Sequence, residues 1–449
     1  MRTFPILLLT VLGVVFGVAA PALADGPAGG ADVQVAQTIG DRDLTVIIRR
    51  ADGPGPLRVD LVAHVGTPAG RLTLQAKAEG TTISTTTVDL GATPGFYPGT
   101  LHVNRSGPWE LALDDGTQVA TIPFIVPARV TSPWDNTVYG GFIAAGALLF
   151  LALGLAFFGR VGLAMVPAGG MIAALAVAIT AGLLSPLIPR PPSPGAQLDP
   201  TFDNVDDPYR RTSIVDFSRP PVNLVPSMAA DDLRLQLADG ATGRPVDDLL
   251  VHDNALIHLV VVSPSGGLKH LHPIRVAPGD YRARLNPAEP GVHAVAAELA
   301  RRGGGVQLAR ASVQVTNTTV TPQAPGKADL EQVIQPAGSP STITARFGTP
   351  TLQPWLGMLG HMIVVGPISD TRTTVTAPVW AHVHAMIPPT PGFPDKPDES
   401  VAAFGPDVRF TYTFPQPGRY LAWVQAERDY SVITVPMVVD VPATKGPRG

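Results

Sequence analysis

Short runs of alternating apolar and polar residues occupy the N-terminal part of the chain. The segments LTVIIRR, LRVDLVAHV, GRLTLQAKA and TQVATIPFIV place apolar side chains at about every second position, and Gly, Pro and Asp residues separate them. A period of two is typical of β-strands that bury one face. We therefore predict an all-β sandwich over residues 25–130.

Two further stretches, 227–318 and 341–445, consist of similar strand-like runs and match each other. The segment HLVVVSP at 258–264 corresponds to HMIVVGP at 361–367, and RARLNPAEPGVHAVAAE corresponds to FTYTFPQPGRYLAWVQAE. Such an internal match predicts two copies of one structural unit. The chain is thus predicted to be mainly β, with three β-sandwich modules, a Pro-rich linker at 191–226 and a second linker at 319–340.

A long apolar region lies between the first and second predicted sandwiches. Residues 139–158 and 161–188 carry no charged side chain, and the turn between them holds Arg160. Each run is long enough as a helix to cross a hydrocarbon core of about 30 Å. We predict a two-helix transmembrane hairpin within 131–190. Because its spans lack ionisable groups, we expect an anchor and not an ion pathway.

The N-terminus has the features of a secretory signal. An apolar run at 5–19 follows Arg2 and precedes Ala22-Leu23-Ala24, a typical cleavage sequence. A signal peptide over 1–24, together with two membrane crossings, places both large regions on the extracytoplasmic side of a cell membrane. A retained N-terminal anchor is the alternative.

Composition excludes several classes of function. The 449 residues include no cysteine, so disulfides, thiolate metal ligands and cysteine nucleophiles are excluded. The formal net charge of -4 and the lack of a Lys/Arg cluster provide no footprint for nucleic acid. Any metal ion would have to use His, Met or carboxylate ligands.

Histidines recur at matching places in the two repeated units. His258 precedes the pair His270 and His272, and His361 precedes His382 and His384. Ten histidines placed at random would give roughly 0.2 His-x-His pairs, a template count that the two observed pairs exceed. Residues i and i+2 of a strand share a face, and a neighbouring strand can bring the third ring within reach. We therefore expect two pockets of three imidazoles each.

Three imidazoles suit zinc or copper. Met386 lies on the same predicted strand face as His382 and His384, with Met358 and Met362 nearby in the chain. Because thioether sulfur selects Cu(I), we expect a copper preference in the third sandwich and a plain imidazole site in the second. The alternative is that the histidines are buried, hydrogen-bonded core residues.

Four other histidines carry weaker expectations. His252 is close enough in sequence to reach the mouth of a site, whereas His293 occupies the position of Tyr420 in the other repeat and is expected to pack. His64 and His102 are isolated, and no function is assigned to them.

The motifs HLVVVSP with KHLHP, LGMLGHMIVVGP with HVHAM, and FPQPGRYLAWVQ resemble those of bacterial extracytoplasmic YtkA-like domains. Those domains are similar to small periplasmic copper-resistance β-sandwiches and to cupredoxin-like folds. The resemblance implies immunoglobulin/cupredoxin-like sandwiches and a copper-related function. The copper-resistance proteins also use an N-terminal histidine, which this chain lacks after the predicted cleavage point.

We thus expect a membrane-anchored extracytoplasmic protein that binds a transition metal for buffering, delivery or sensing. An enzyme is not expected, because neither His-x-His segment carries an acidic residue to serve as a base. A metal-free module that binds or assembles with a protein partner in the envelope is the competing hypothesis. A pH-responsive module is the third.

Overall fold

A computed structural model of the protein describes residues 32–49, 51, 53–126, 133–184, 219–320, 324–368, 374–388 and 397–444. The predicted signal peptide at 1–24 and most of the predicted linker at 191–226 lie outside the described residues. Within them the chain is mostly β, arranged in several antiparallel sheets, with two apolar helices that form a hairpin. The predicted fold class is confirmed.

The first sandwich contains eight strands in two sheets. Its strands are β1 (Val33–Ile39), β2 (Arg42–Ile48), β3 (Gly55–Ala63), β4 (Gly70–Ala78), β5 (Thr81–Leu90), β6 (Gly95–Val103), β7 (Gly107–Asp114) and β8 (Val119–Val126). One sheet has the order β1-β2-β3-β6 and the other β5-β4-β7-β8. Alternating residues of each strand, such as Leu72, Leu74 and Ala76, face the core between the sheets.

The second sandwich begins before its predicted start at residue 227. Its strands are β9 (Val222–Ala229), β10 (Asp232–Asp239), β11 (Leu249–Leu250), β12 (Ile257–Val262), β13 (Leu268–Leu271), β14 (Ile274–Ala277), β15 (Asp280–Arg284), β16 (Gly291–Arg301) and β17 (Gly305–Val315). The first sheet has the order β14-β15-β10-β9. Pro226 is tolerated in β9 because this strand lies at the sheet edge.

The third sandwich follows the same plan. Its strands are β18 (Asp329–Val333), β19 (Pro340–Arg346), β20 (Met358–Gly366), β21 (Val379–Met386), β22 (Asp407–Thr413), β23 (Gly418–Arg428) and β24 (Ser431–Val441). A short 3-10 helix covers Thr374–Thr376. Strand β18 lies inside the predicted linker at 319–340. Its residues are mostly exposed, so no alternating pattern marked it.

The two repeated units have equivalent main sheets. In the second sandwich β12 lies between β13 and β16, and β17 follows on the other side of β16. In the third, β20 lies between β21 and β23, and β24 follows. The strands headed by His258 and His361 are therefore the same strand of the fold, as the repeat predicted.

The helical hairpin consists of α1 (Pro133–Phe157) and α2 (Val161–Leu184). Both helices are long and apolar enough to cross a membrane, with mean hydropathy values of 2.2 and 2.0. Helix α1 begins before the predicted start of the span at residue 139. Helix α2 continues through Pro167 without a break in its helical assignment.

Candidate metal centre

Strands β12 and β20 are buried on both faces because the second and third sandwiches pack against each other. Leu259 and Val261 of β12 lie in the core that the second sandwich shares with the first, while Met362 and Val364 of β20 lie in the core of the third. The residues between them form a separate apolar cluster at the interface: Val260, Val262, Ala294, Ala296, Ile363, Val365, Ala377 and Trp423. Burial of both faces explains why these runs are continuously apolar.

The six predicted histidines lie at one end of this interface. His258 continues the row of Val260 and Val262, and His361 continues the row of Ile363 and Val365. In the ladders, Val260 is opposite His270 and Ile363 is opposite His382. The rings therefore gather within each repeat through strand pairing, as their spacing indicated.

The two expected pockets are, however, one cluster. The ring centroids of His258 and His382 lie 5.0 Å apart, and those of His270 and His382 lie 5.1 Å apart. His258 and His361 are separated by 6.4 Å. Docking of the two sheets brings each half of the cluster against the other. His361, His382 and His384 group as predicted, whereas His258 and His270 group with His382 instead of His272, so the two groups share His382.

Main-chain carbonyls fix the tautomers of the two strand-head histidines. His258 donates a hydrogen bond from Nε2 to the carbonyl oxygen of His252 over 3.2 Å. His361 does the same to the carbonyl oxygen of Trp355 over 3.1 Å. Because a carbonyl oxygen can only accept, each ring carries its proton on Nε2 when neutral, and the Nδ1 lone pair points into the cluster.

A reciprocal pair of contacts fixes two more rings across the interface. His270 of the second sandwich donates from Nδ1 to Gln425 Oε1 of the third over 2.9 Å. His382 of the third donates from Nδ1 to Glu298 Oε2 of the second over 3.1 Å. The Gln425 amide is oriented by its own donation from Nε2 to Thr434 Oγ1. The Nε2 lone pairs of both rings consequently point inward.

The Glu298 carboxylate is ionised where it meets His382. Burial by itself raises its pKa, but the hydrogen bond with His252 is the largest of the effects that bring the pKa below its ordinary value. An ionised carboxylate on the outer nitrogen raises the basicity of an imidazole ligand and fixes the orientation of its ring.

The inward nitrogens meet in two close pairs. His258 Nδ1 lies 3.3 Å from His270 Nε2, and His361 Nδ1 lies 2.9 Å from His382 Nε2. When all four rings are neutral, the two nitrogen atoms of each close pair face each other with their lone pairs. No proton lies between them to form a hydrogen bond. Burial lowers the pKa of His258, His361 and His382 well below its usual range, and that of His270 to about 4. Four inward lone pairs at neutral pH are donors that could hold a metal ion.

Ring spacing around His382 is close to that of ligands on a tetrahedral ion. A zinc or copper ion about 2.0–2.1 Å from four ring nitrogens sets the ring centroids roughly 5 Å apart. The centroid distances among His258, His270, His361 and His382 run from 5.0 to 6.4 Å. One candidate ligand atom from each of His258, His270 and His382 lies within 4.8 Å of the others, and His361, His382 and His384 form a second such group.

The remaining two histidines flank this set. Both ring nitrogens of His272 are buried and have no hydrogen-bond partner among the residues that the structure describes. A neutral imidazole buried in this state loses its hydration without compensation. Its ring lies 5.0 Å from that of His270. His384 lies closer to the surface, with its ring 4.4 Å from that of His382 and Nδ1 3.4 Å from Asp253 Oδ2.

The methionines of the third sandwich differ in their surroundings. Met362 faces the core of the third sandwich, whereas Met386 is 52 % exposed at the end of β21, two residues after His384. The expected thioether preference for copper in the third sandwich stays a prediction. Imidazole and carboxylate groups surround the cluster, and these suit zinc and copper(II) alike.

Several residues of the centre were not predicted. Glu298, Gln425 and Asp253 contact the histidines from other strands and loops, and His252 lies 3.7 Å from Glu298. The acidic side chain that the His-x-His segments lack is thus supplied by β16. The sequence does contain one indication of their role. Glu298 and Gln425 occupy equivalent positions in the two repeats, each seven residues after the glycine of a Pro-Gly dipeptide, Gly291 or Gly418.

The first sandwich also touches the centre. The β1 residue Thr38 donates its backbone N–H to the carbonyl oxygen of His272 over 2.7 Å and accepts the His272 N–H on Oγ1 over 3.1 Å. All three sandwiches therefore hold the histidine segments in place.

Comparisons with known proteins give little functional information. Residues 327–443, which cover the third sandwich alone, match a family described as a domain of unknown function (DUF8832). No curated protein matches the chain.

Three solved structures illustrate the level of structural likeness. A tetra-tandem repeat from the extending region of a large adhesion protein is 9 % identical, with 93 % of this chain and 76 % of that chain covered and a TM-score of 0.16. The Escherichia coli adhesin FdeC is 10 % identical, with coverage of 94 % and 100 % and a TM-score of 0.16. Invasin, a bacterial integrin-binding protein, is 12 % identical, with coverage of 92 % and 60 % and a TM-score of 0.15. At these TM-scores, the likeness does not define the fold or the function of this chain.

Proposed function

We propose that the protein is a membrane-anchored extracytoplasmic protein that binds a transition metal ion, copper or zinc, between its second and third sandwiches. The observation that carries this proposal is the set of four lone pairs on His258, His270, His361 and His382. Each lone pair is turned inward by a hydrogen-bond acceptor on the outer nitrogen. Metal-binding histidines have this outer-nitrogen arrangement.

The proposed location rests on the helical hairpin and on the N-terminal sequence. Two apolar helices, whose single charged residue is Asp135 in the first turn of α1, are joined by a tight turn and are suited to anchor the flanking sandwiches on the same side of a membrane. The signal sequence favours the extracytoplasmic side. The likeness of the His-containing motifs to YtkA-like domains supports copper as the first ion to test.

The position of the centre favours sensing over simple buffering. Ligands come from both the second and the third sandwich, so a bound ion adds a bond across their interface. Binding therefore stabilises the docked arrangement of the two sandwiches by mass action, about 2.7 kcal/mol at an ion concentration 100 times the Kd.

The experiment is a metal titration of the full chain in detergent after treatment with a chelator. The wild type should bind Cu(II) or Zn(II) and gain thermal stability. The double variant His270→Asn/His382→Asn removes two inward lone pairs and should lose at least about 100-fold in affinity. His102→Asn is the matched control because His102 is exposed on the first sandwich. Equal affinity of the double variant and the control would exclude the proposal.

A metal-free interaction module is the second candidate function. The bonds of His258 and His361 to main-chain carbonyls also occur in structural histidines, and this observation favours it. It predicts that copper and zinc leave the melting temperature unchanged and that the double variant is destabilised with or without metal.

A further inference from the structure

A second buried polar cluster joins the first sandwich to the third. His64 follows β3, Glu399 precedes β22 in the chain, and Glu427 lies on β23. His64 Nδ1 lies 2.8 Å from Glu427 Oε1, and His64 Nε2 lies 3.6 Å from Glu399 Oε2. Their whole-residue exposures are 5 %, 1 % and 0 %.

Two oxygen atoms of this cluster lack hydrogen bonds. Oε2 of Glu399 and Oε2 of Glu427 are buried and have no hydrogen-bond partner in the described part of the chain. The other oxygen of each carboxylate is engaged, with Glu399 Oε1 accepting from Thr45 Oγ1 over 2.8 Å. A buried carboxylate oxygen without a donor is costly, and a bound cation is one partner that relieves this cost.

The cluster places two buried carboxylates against one imidazole. His64 contacts both Glu399 and Glu427, and the half-buried Asp43 lies beside it, with its main-chain carbonyl oxygen accepting the His64 backbone N–H over 3.3 Å. A divalent cation would supply positive charge to both carboxylates in a site that is closed to water.

We propose that His64, Glu399 and Glu427 form a second metal site, for a divalent cation of the zinc or manganese type, that ties the first sandwich to the third. One ligand atom from each residue lies within 4.8 Å of the other two. An imidazole and two carboxylates are a mixed nitrogen and oxygen set that borderline and hard divalent ions accept. The Thr45 hydroxyl, 3.1 Å from His64 Nε2, is a further oxygen at the site.

The role of this second site is structural. Its residues come from positions 64, 399 and 427, so a bound ion closes a long loop that includes the helical hairpin and the whole second sandwich. Closing a long loop restricts the unfolded chain and stabilises the assembled sandwiches. The site is also independent of the histidine centre, with which it shares no ligand residue.

The test separates the two centres by mutation. The full chain carrying His270→Asn/His382→Asn is stripped with a chelator and dialysed against Zn2+, and bound metal is counted by atomic spectroscopy. This variant should retain about one Zn2+ per chain at the second site. Adding Glu399→Gln/Glu427→Gln to the same chain should remove that ion, because a neutral amide is a far weaker ligand than a carboxylate. An unchanged zinc content would overturn the proposal.

Melting temperatures distinguish a loss of metal binding from a failure of the variant to fold. Glutamine keeps the shape of glutamate, and its amide oxygen can still accept the hydrogen bonds from Thr45 and His64, so in chelator the Glu399→Gln/Glu427→Gln variant should melt close to the wild-type temperature. Only the chain with both glutamates should gain stability on addition of Zn2+ or Mn2+. Should the double variant not fold, Glu399→Gln alone replaces it. A chain that melts lower in chelator and shows no metal response in either form has a structural ion-pair cluster only, and the proposal fails.

Discussion

Glu298 of the second sandwich accepts a hydrogen bond from Nδ1 of His382 in the third, over 3.1 Å. Gln425 of the third makes the reciprocal contact with His270 of the second. Each sandwich therefore orients a histidine of the other, and the two repeats form one centre with a two-fold arrangement. Four predictions follow from this geometry and from the hairpin.

The charge of Glu298 should matter more than its shape. Glu298→Gln keeps the side-chain volume but removes the carboxylate that, in the proposed metal site, would make His382 a stronger ligand. Metal affinity should fall about 10-fold to 100-fold, as is typical when the outer partner of a ligating histidine is lost. Competition with a chromophoric chelator measures it. The control is Glu331→Gln on β18, where the side chain is 54 % exposed, and it should leave the affinity unchanged.

Docking of the second and third sandwiches should depend on the apolar cluster between them. Ile363 is 1 % exposed in that cluster, and Ile363→Ala should lower the free energy of unfolding by about 2–5 kcal/mol, because it leaves a cavity. Urea denaturation measures the change. Val438→Ala removes a similar side chain from a position that is 47 % exposed and should change stability by less than about 0.5 kcal/mol. Equal effects would contradict the described interface.

Stability of the metal-free protein should fall on acidification. Imidazole in the unfolded chain titrates near 6.5, whereas burial lowers the pKa of His270 to about 4 and those of His258, His361 and His382 well below 6.5. The unfolded chain therefore binds more protons below pH 6.5. For His270 the free energy of unfolding is lost progressively between about pH 6.5 and 4, at up to about 1.4 kcal/mol per pH unit.

Glu399 acts in the opposite direction, because burial raises its pKa to about 8 and stability from this group falls as pH rises through that value. The comparison should therefore use the difference between the wild type and His270→Asn/His382→Asn in chelator. Urea titrations at pH 7.5, 6 and 5 should show the variant losing less stability than the wild type. Parallel pH profiles would show that these rings are not buried in the neutral form.

Close packing of the helical hairpin should depend on one glycine. A Cβ atom at Gly141 would lie 2.8 Å from Ala178 Cβ and 3.0 Å from the Ala174 carbonyl oxygen, so Gly141→Val should force α1 and α2 apart. Gly146→Val is the matched control, because a Cβ atom there meets nothing within 4 Å. Small residues permit such close helix contacts in membranes.

Disulfide cross-linking can measure that packing, because the chain contains no cysteine that would compete with an introduced pair. A Cβ atom at Gly182 would lie 3.8 Å from Val138 Cγ2, so Val138→Cys/Gly182→Cys should form a disulfide under oxidation. Gly141→Val should reduce this cross-link strongly, whereas Gly146→Val should leave it intact. The same yield from both would mean that Gly141 does not set the helix distance.

Local sequence was sufficient to predict most strands, the helical hairpin and the histidines that each repeat contributes to the cluster. Alternation indicated the strands of the first sandwich, the uncharged runs indicated the hairpin, and His270 and His272 were predicted to share a strand face. These features follow from backbone periodicity, which acts over a few residues and is visible in any window of the chain. Strand β18 was not predicted, because its residues are mostly exposed and it lacks an alternating apolar face.

Contacts between segments that are distant in the sequence could not be predicted from local periodicity. Which faces of β12 and β20 meet depends on the packing of complete sheets, and that packing placed His382 of the third sandwich in a group with His258 and His270 of the second. The pairing of His64 with Glu399 and Glu427 joins residues more than 300 positions apart. Residue types and local period therefore determined what each strand could present, while the docking of three sandwiches determined which side chains meet, because burial at an interface is a property of the assembled surfaces and not of either strand.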